Sequence, residues 1–179
     1  RLGCIIQVLF EMEARHLMAF ERIEKKPKKR VMYQLTEYEN EYFDEFRNEM
    51  NIYYEMNAHE IKDVFSAKLR KMTFIYDFGD DWKVKVFFEK THAAKENDEQ
   101  HLPHVLEGEG MGIVEDIGGA YALEEAVEAM KNSEWYKRLF NEDFGMEEFD
   151  IHQFDLAEMN KRIKELPARY DNYYQKMYE

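Results

Sequence analysis

A single mixed domain of helices and hairpin strands is what this sequence predicts, and three observations carry that prediction. Apolar residues recur at helical spacing in several separate blocks, two stretches alternate apolar and polar with a turn between them, and no linker divides the chain. With 179 residues, 45% hydrophobic and 15% aromatic, there is enough apolar side chain for a real core and no signature of disorder. One domain over 1–179 is therefore expected, with its core ending near 166 and 167–179 forming a C-terminal tail.

The chain opens on "RLGCIIQVLFEM" without an initiator Met. Leu2, Ile5, Ile6, Leu9 and Phe10 fall at helical spacing, so 2–13 is expected to be an amphipathic helix burying that stripe. So abrupt a start implies a segment upstream of residue 1. "HLMAFERI" and "VMYQLTE" are expected strands, joined by the basic loop "KKPKKR" at 25–30, where Pro27 stops either element. Residues 38–50 are acidic and irregular in period, either a helix or a surface excursion. In "MNAHEIKDVF", Asn57 is placed to cap a helix, with Glu60 in the reciprocal position and Met56 stapled to Ile61. Ile61, Val64 and Phe65 would be its buried face.

The clearest pairing comes next. Met72, Phe74, Tyr76 and Phe78 alternate on one strand, and Trp82, Val84, Val86 and Phe88 on the following one. Both sets share a face if Phe78 lies opposite Trp82 across the three-residue loop Gly79-Asp80-Asp81. Asp77 would then sit opposite Lys83 as a cross-strand ion pair. Five glycines from Gly108 to Gly119 imply an irregular, shaped backbone. "YALEEAVEAM" follows as a helix with Leu123, Val127 and Met130 inward, and Ser133 is a cap for "EWYKRLF". Asp155 and Glu158 form a capping box, with Phe154 stapled to Met159. That last helix should bury Leu156, Met159, Ile163 and Leu166 and stop at Pro167.

Composition excludes several functions. The longest apolar run, "GCIIQVLF", is far below the roughly 20 residues that span a bilayer. With the single cysteine Cys4 there is no internal disulfide and no paired-cysteine zinc motif, which fits a reducing, cytoplasmic setting. A net charge of −13, from 38 acidic and 25 basic residues, repels nucleic acid and favours a basic partner. Phosphate-cradling glycine loops are absent.

"YDFGDDW", "EGEG…EDIGGAY" and "FDIHQFDLAEMN", with the early "IIQVLFEMEARHLMAF", resemble the plasmid-borne Orf-three-like family over nearly the whole chain. Some members of that family are labelled passenger resolvases of insertion elements, of the TnpR type. The resemblance implies an α+β domain with a curled, mostly antiparallel sheet of roll-like form and helices packed against it. It also implies a mobile-element setting, with the family's first strands missing here. The family's His-rich and Cys-rich positions are occupied by Gly3, Met18, Val84 and Gly112-Ile113-Val114, so His16 and the carboxylates are what remains of any such site.

Two readings of those acids stand side by side. Asp77, Asp80, Asp81, Glu115 and Asp116 form a candidate acidic cluster, supported by His16, Gly79, Trp82, Gly118, Gly119 and Tyr121. If converged, they would seat a divalent cation such as Mg²⁺ and make a metal-dependent hydrolase. Otherwise they serve turns and helix starts, and the chain holds no metal or other cofactor. His92, His101 and His104 share one loop rich in Lys and Glu, where solvated histidines are expected rather than zinc ligands. A serine recombinase would need a nucleophile among arginines, and Ser66 and Ser133 lack that setting. The expectation is a non-catalytic binding or protein-interaction module. Its partner would be basic, such as a DNA-binding protein, met by Trp82, Tyr121, Trp135 and the acidic loop. An accessory recombination factor gripping DNA through 25–30 is a further alternative.

Overall fold

The computed structural model describes residues 1–25, 27–35, 51–66, 69–93, 103–145 and 150–177. The acidic stretch 38–50 and His101 lie outside them. Contacts divide the chain into two compact units, Arg1–Arg15 with Ala93–Glu179, and His16–His92.

In the second unit, five strands form an open, mixed sheet. They are β1 (Met18–Lys25), β2 (Lys28–Gln34), β3 (Asn51–Glu55), β4 (Lys71–Tyr76) and β5 (Trp82–Phe87). Their spatial order is β3-β2-β1-β4-β5, with β2 and β3 parallel and every other pair antiparallel. This is the α+β architecture the sequence implied. The basic residues, however, are not a loop: Lys25 faces Lys28 and Glu24 faces Lys29, so both strands run almost to Pro27. Strand alternation puts Met18, Phe20, Val31, Tyr33, Met72, Phe74, Tyr76 and Trp82 on one face, all buried. The cross-strand rings of Phe20 and Phe74 lie 5.1 Å apart. On the other face, Ala19, Met32 and Ile75 make a smaller buried cluster with Tyr53.

The β4–β5 register departs from expectation in an instructive way. Tyr76, not Phe78, faces Trp82, and Ile75, not Asp77, faces Lys83. The slip is two residues, so every side chain keeps its face while the connection lengthens to residues 77–81. The short helix in this unit also differs. A single 3₁₀ turn at Met56–Ala58 precedes α2 (Ile61–Val64), whose N-cap is Glu60, with no side-chain bond from it. Glu55, rather than Asn57, supplies the local cap by accepting from Asn57 N. Ile61 is exposed and Val64 half-buried, and only Phe65 is buried, with its ring stacked on Phe88.

The first unit is helical. It contains α1 (Leu2–Leu9), α3 (Gly119–Asn132), α4 (Glu134–Asp143) and α5 (Leu156–Met177). The first helix ends at Leu9 rather than near 13, because Glu11 and Ala14 both take left-handed backbone angles. Its buried side is Gly3, Cys4, Ile6, Gln7 and Val8, so Leu2, Ile5, Leu9 and Phe10 sit at the margin. Cys4 and Val8 pack on Met159, Ile163 and Leu166 of α5. Leu156 is exposed, and α5 runs through Pro167 instead of stopping there. Val114, Ala126, Met130 and Phe140 form the second cluster, with Leu123 and Val127 packed against it. Ser133 caps α4 by accepting from Tyr136 N at 3.2 Å, and Asp155 caps α5 by accepting from Glu158 N at 2.9 Å. The Glu158 carboxylate meets Arg162, whose hydrogen bond holds it below its ordinary pKa of 4.5, with Lys161 adding to the effect.

The chain leading into the glycine-rich segment is anchored at Val105 by one side chain of α5. Asn160 on α5 accepts from Val105 N at 2.8 Å and donates to Val105 O and Leu156 O at 3.0 Å. Each bond contributes about 0.5–1.5 kcal/mol, so Asn160→Ala should lower the unfolding free energy by about 2 kcal/mol. Urea titration checks this, and Asn160→Asp, which keeps the acceptor alone, should recover only part.

Candidate functional site

Within the sheet unit the acidic turn is built around Asp77. This residue is buried and left-handed, with φ of 53°. Its N–H donates to Leu17 O at 3.0 Å, its Oδ1 accepts from Gly79 N at 2.9 Å, and its carbonyl accepts from Asp81 N at 2.6 Å. Its other oxygen, Oδ2, lies 3.6 Å from Nδ1 of His16. The His16 ring stands edge-on to Tyr76 with centroids 5.7 Å apart. An aspartate that tolerates positive φ and bonds its own loop is what a five-residue connection needs. A second left-handed aspartate, Asp81, closes the turn and ion-pairs with Lys83. Lys83 thus has an acidic partner, but it is Asp81 and not the expected Asp77. Asp80 is half-buried in the turn.

The other acids of the candidate cluster are placed in the helical unit. Glu115 Oε1 accepts from Glu13 N at 2.7 Å, fixing the chain that leaves α1. Asp116 is exposed and left-handed, with φ of 58°. Gly118, at φ of 95°, is the N-cap of α3, and Gly119 begins that helix. So Asp77 joins His16 and Gly79 in one unit, and Glu115 is bonded within the other. The two serines are also committed to local caps, Ser66 Oγ accepting from Leu69 N and Ser133 Oγ from Tyr136 N, each at 3.2 Å. His92 and His104 are exposed.

The expected aromatic contact surface needs one correction. Trp82 is buried against the sheet, so it belongs to the core. Tyr121 and Trp135, by contrast, are 71% and 67% exposed. Tyr136, Leu139 and Phe144 are also exposed on or beside α4, whose only buried residue is Phe140. The rings of Trp135 and Tyr136 lie 6.3 Å apart. The two helices, with Phe144 after them, carry six acidic residues (Glu124, Glu125, Glu128, Glu134, Glu142 and Asp143), against Lys131, Lys137 and Arg138. Glu125 accepts a hydrogen bond from the Tyr121 hydroxyl, which raises that phenol above its ordinary 10.0. Sequence reasoning missed the rest of this row because "EWYKRLF" looks like an ordinary amphipathic helix. It also missed a Tyr33–Tyr54–His59 group on the sheet, with Tyr33 and Tyr54 stacked at 5.4 Å and His59 edge-on to both. Strand parity of β2 and β3 would have found the two tyrosines.

Comparisons with known proteins agree with this architecture. The solved structure of a protein of unknown function, MM3350 from Methanosarcina mazei Go1, is similar at a TM-score of 0.66 and 27% identity. That likeness covers 87% of this chain and 78% of the other. An uncharacterised protein, y4hQ of Sinorhizobium fredii (strain NBRC 101917 / NGR234), is 26% identical over 102 residues, 56% of this chain. The matched region spans about half of that curated relative, 51%. Among the described residues no helix is long and apolar enough to cross a membrane. The family model for plasmid pRiA4b ORF-3-like proteins matches residues 1–158, and the chain belongs to that family.

Proposed function

We propose that this chain is a non-catalytic protein-interaction module whose working surface is the acidic, aromatic side of α3 and α4. The observation that carries this reading is a tryptophan two-thirds exposed on a helix where one apolar residue is buried. A solvent-facing Trp with Tyr and Leu beside it and charges around it has the make-up of an interface hot spot with its polar rim. The excess of acid there, and the net charge of −13, select a basic partner. The family's plasmid name supports a mobile-element setting. In that setting a DNA-binding protein is a partner of suitable charge.

The hydrolase alternative would rest on the carboxylate cluster of Asp77, Asp80, Asp81, Glu115 and Asp116, and the two readings part on metals. A native-state metal site must raise stability by RT ln(1 + [L]/Kd), so millimolar Mg²⁺, Mn²⁺ or Zn²⁺ would raise the melting temperature. The interaction reading predicts no such rise. Instead, a short helical Lys–Leu peptide, used as a basic probe, should blue-shift the Trp135 emission as it binds. Trp135→Ala should weaken that binding by about tenfold or more, as truncating a hot spot does. Binding that Trp135→Ala leaves unchanged would contradict the proposal.

A further inference from the structure

A different surface, in the sheet unit, carries a second binding inference. Among the described residues β5 has β4 on one side and no strand on the other. Its backbone orientation follows from one bond. Phe88 N donates to Arg70 O at 2.9 Å, so residue 88 turns its N–H toward β4. In an antiparallel pair the backbone groups alternate in direction, so residues 86, 84 and 82 also face β4. Lys83, Lys85 and Phe87 therefore turn their N–H and C=O groups outward, to the open edge. Their side chains share one face and are exposed, with Phe87 at 60%. Val84 and Val86, on the opposite face, are only half-buried.

The geometry points to strand addition at this edge by an extended acidic peptide in which acidic and apolar residues alternate. The acids would lie opposite Lys83 and Lys85, and the apolar residues would continue the Val84 and Val86 row. Lys83 is already paired with Asp81, whereas Lys85 makes no salt bridge among the described residues. Lys71 sits over the Phe87 ring at 5.4 Å and adds to the same charge. The two units differ in charge accordingly. Residues 16–92 hold 15 acidic and 14 basic residues, against 23 acidic and 11 basic in the rest of the chain. Lysines on an edge strand also repel a second lysine-bearing edge, so self-pairing is disfavoured while an acidic strand is accepted.

The test uses the full chain and a fluorescein-labelled seven-residue peptide of alternating Glu and Val. Saturable anisotropy is expected, with amide exchange at Lys83, Lys85 and Phe87 slowing by about tenfold, since those N–H groups gain partners. A Lys–Val peptide of equal length should bind about tenfold more weakly. Lys85→Pro removes one outward donor and leaves the β4 ladder intact, so it should abolish binding while Val86 and Phe88 stay protected. Lys85→Glu should do the same by charge alone, should the proline variant fail to fold. The proposal is overturned if neither peptide binds, which leaves the lysines as edge guards only. It is equally overturned if Lys85→Glu binds the acidic peptide as well as the native chain does.

Discussion

Gly112→Ala should be among the most damaging small substitutions in this chain, lowering stability by about 3 kcal/mol, the upper end for overpacking. A Cβ at that position would lie 2.2 Å from the carbonyl oxygen of Phe10 and 2.4 Å from its carbon. Both are backbone atoms and cannot swing aside. The same Phe10 oxygen accepts from Ile113 N at 2.9 Å, so relieving the clash means losing a bond that holds 112–113 against the end of α1. Gly145→Ala is the control. It has a positive φ of 64° but nothing within 4 Å among the described residues, so it should cost only about 1 kcal/mol for the left-handed backbone. Guanidinium unfolding of the two variants separates crowding from backbone strain.

Phe74→Ala should cost about 3–5 kcal/mol, the usual range for truncating a buried aromatic ring. Phe74 is fully buried on β4, an interior strand of the sheet, paired with Phe20 on one side and Val84 on the other. The contrast within the same hairpin is Phe87→Ala. That ring is mostly exposed, so its loss removes little beyond the contact with Lys71 and should change stability by about 0.5 kcal/mol. Equal losses at the two positions would mean that the wrong face of the hairpin had been assigned to the core.

The hairpin also marks how far local patterning reaches. Alternation identified the buried face of β4 and β5 because moving a strand by two residues preserves it, whereas a slip of one inverts it. The same pattern says nothing about loop length. Here two aspartates in left-handed geometry and the bond from Asp77 N to Leu17 O, just before β1, fixed five residues instead of three. The α4 and α5 caps were legible because Ser133 and Asp155 bond within three residues of themselves. Asn160 and Gly112 were not, since their partners lie 55 and about 100 residues away and leave no local periodicity. Burial of Trp82, and exposure of Trp135, were equally beyond composition. Both are aromatic residues flanked by charge, and only tertiary packing tells them apart.

The functional account depends on Tyr121 and Trp135 being free to meet a partner without supporting the fold. Isothermal titration of the basic Lys–Leu peptide into Tyr121→Ala/Trp135→Ala, alongside its melting temperature, measures both at once. The account predicts a melting temperature within a few degrees of the native chain and heat of binding reduced to background. Native-like binding by the double variant would contradict it, and so would a collapse of the melting temperature, which would make these rings part of the core.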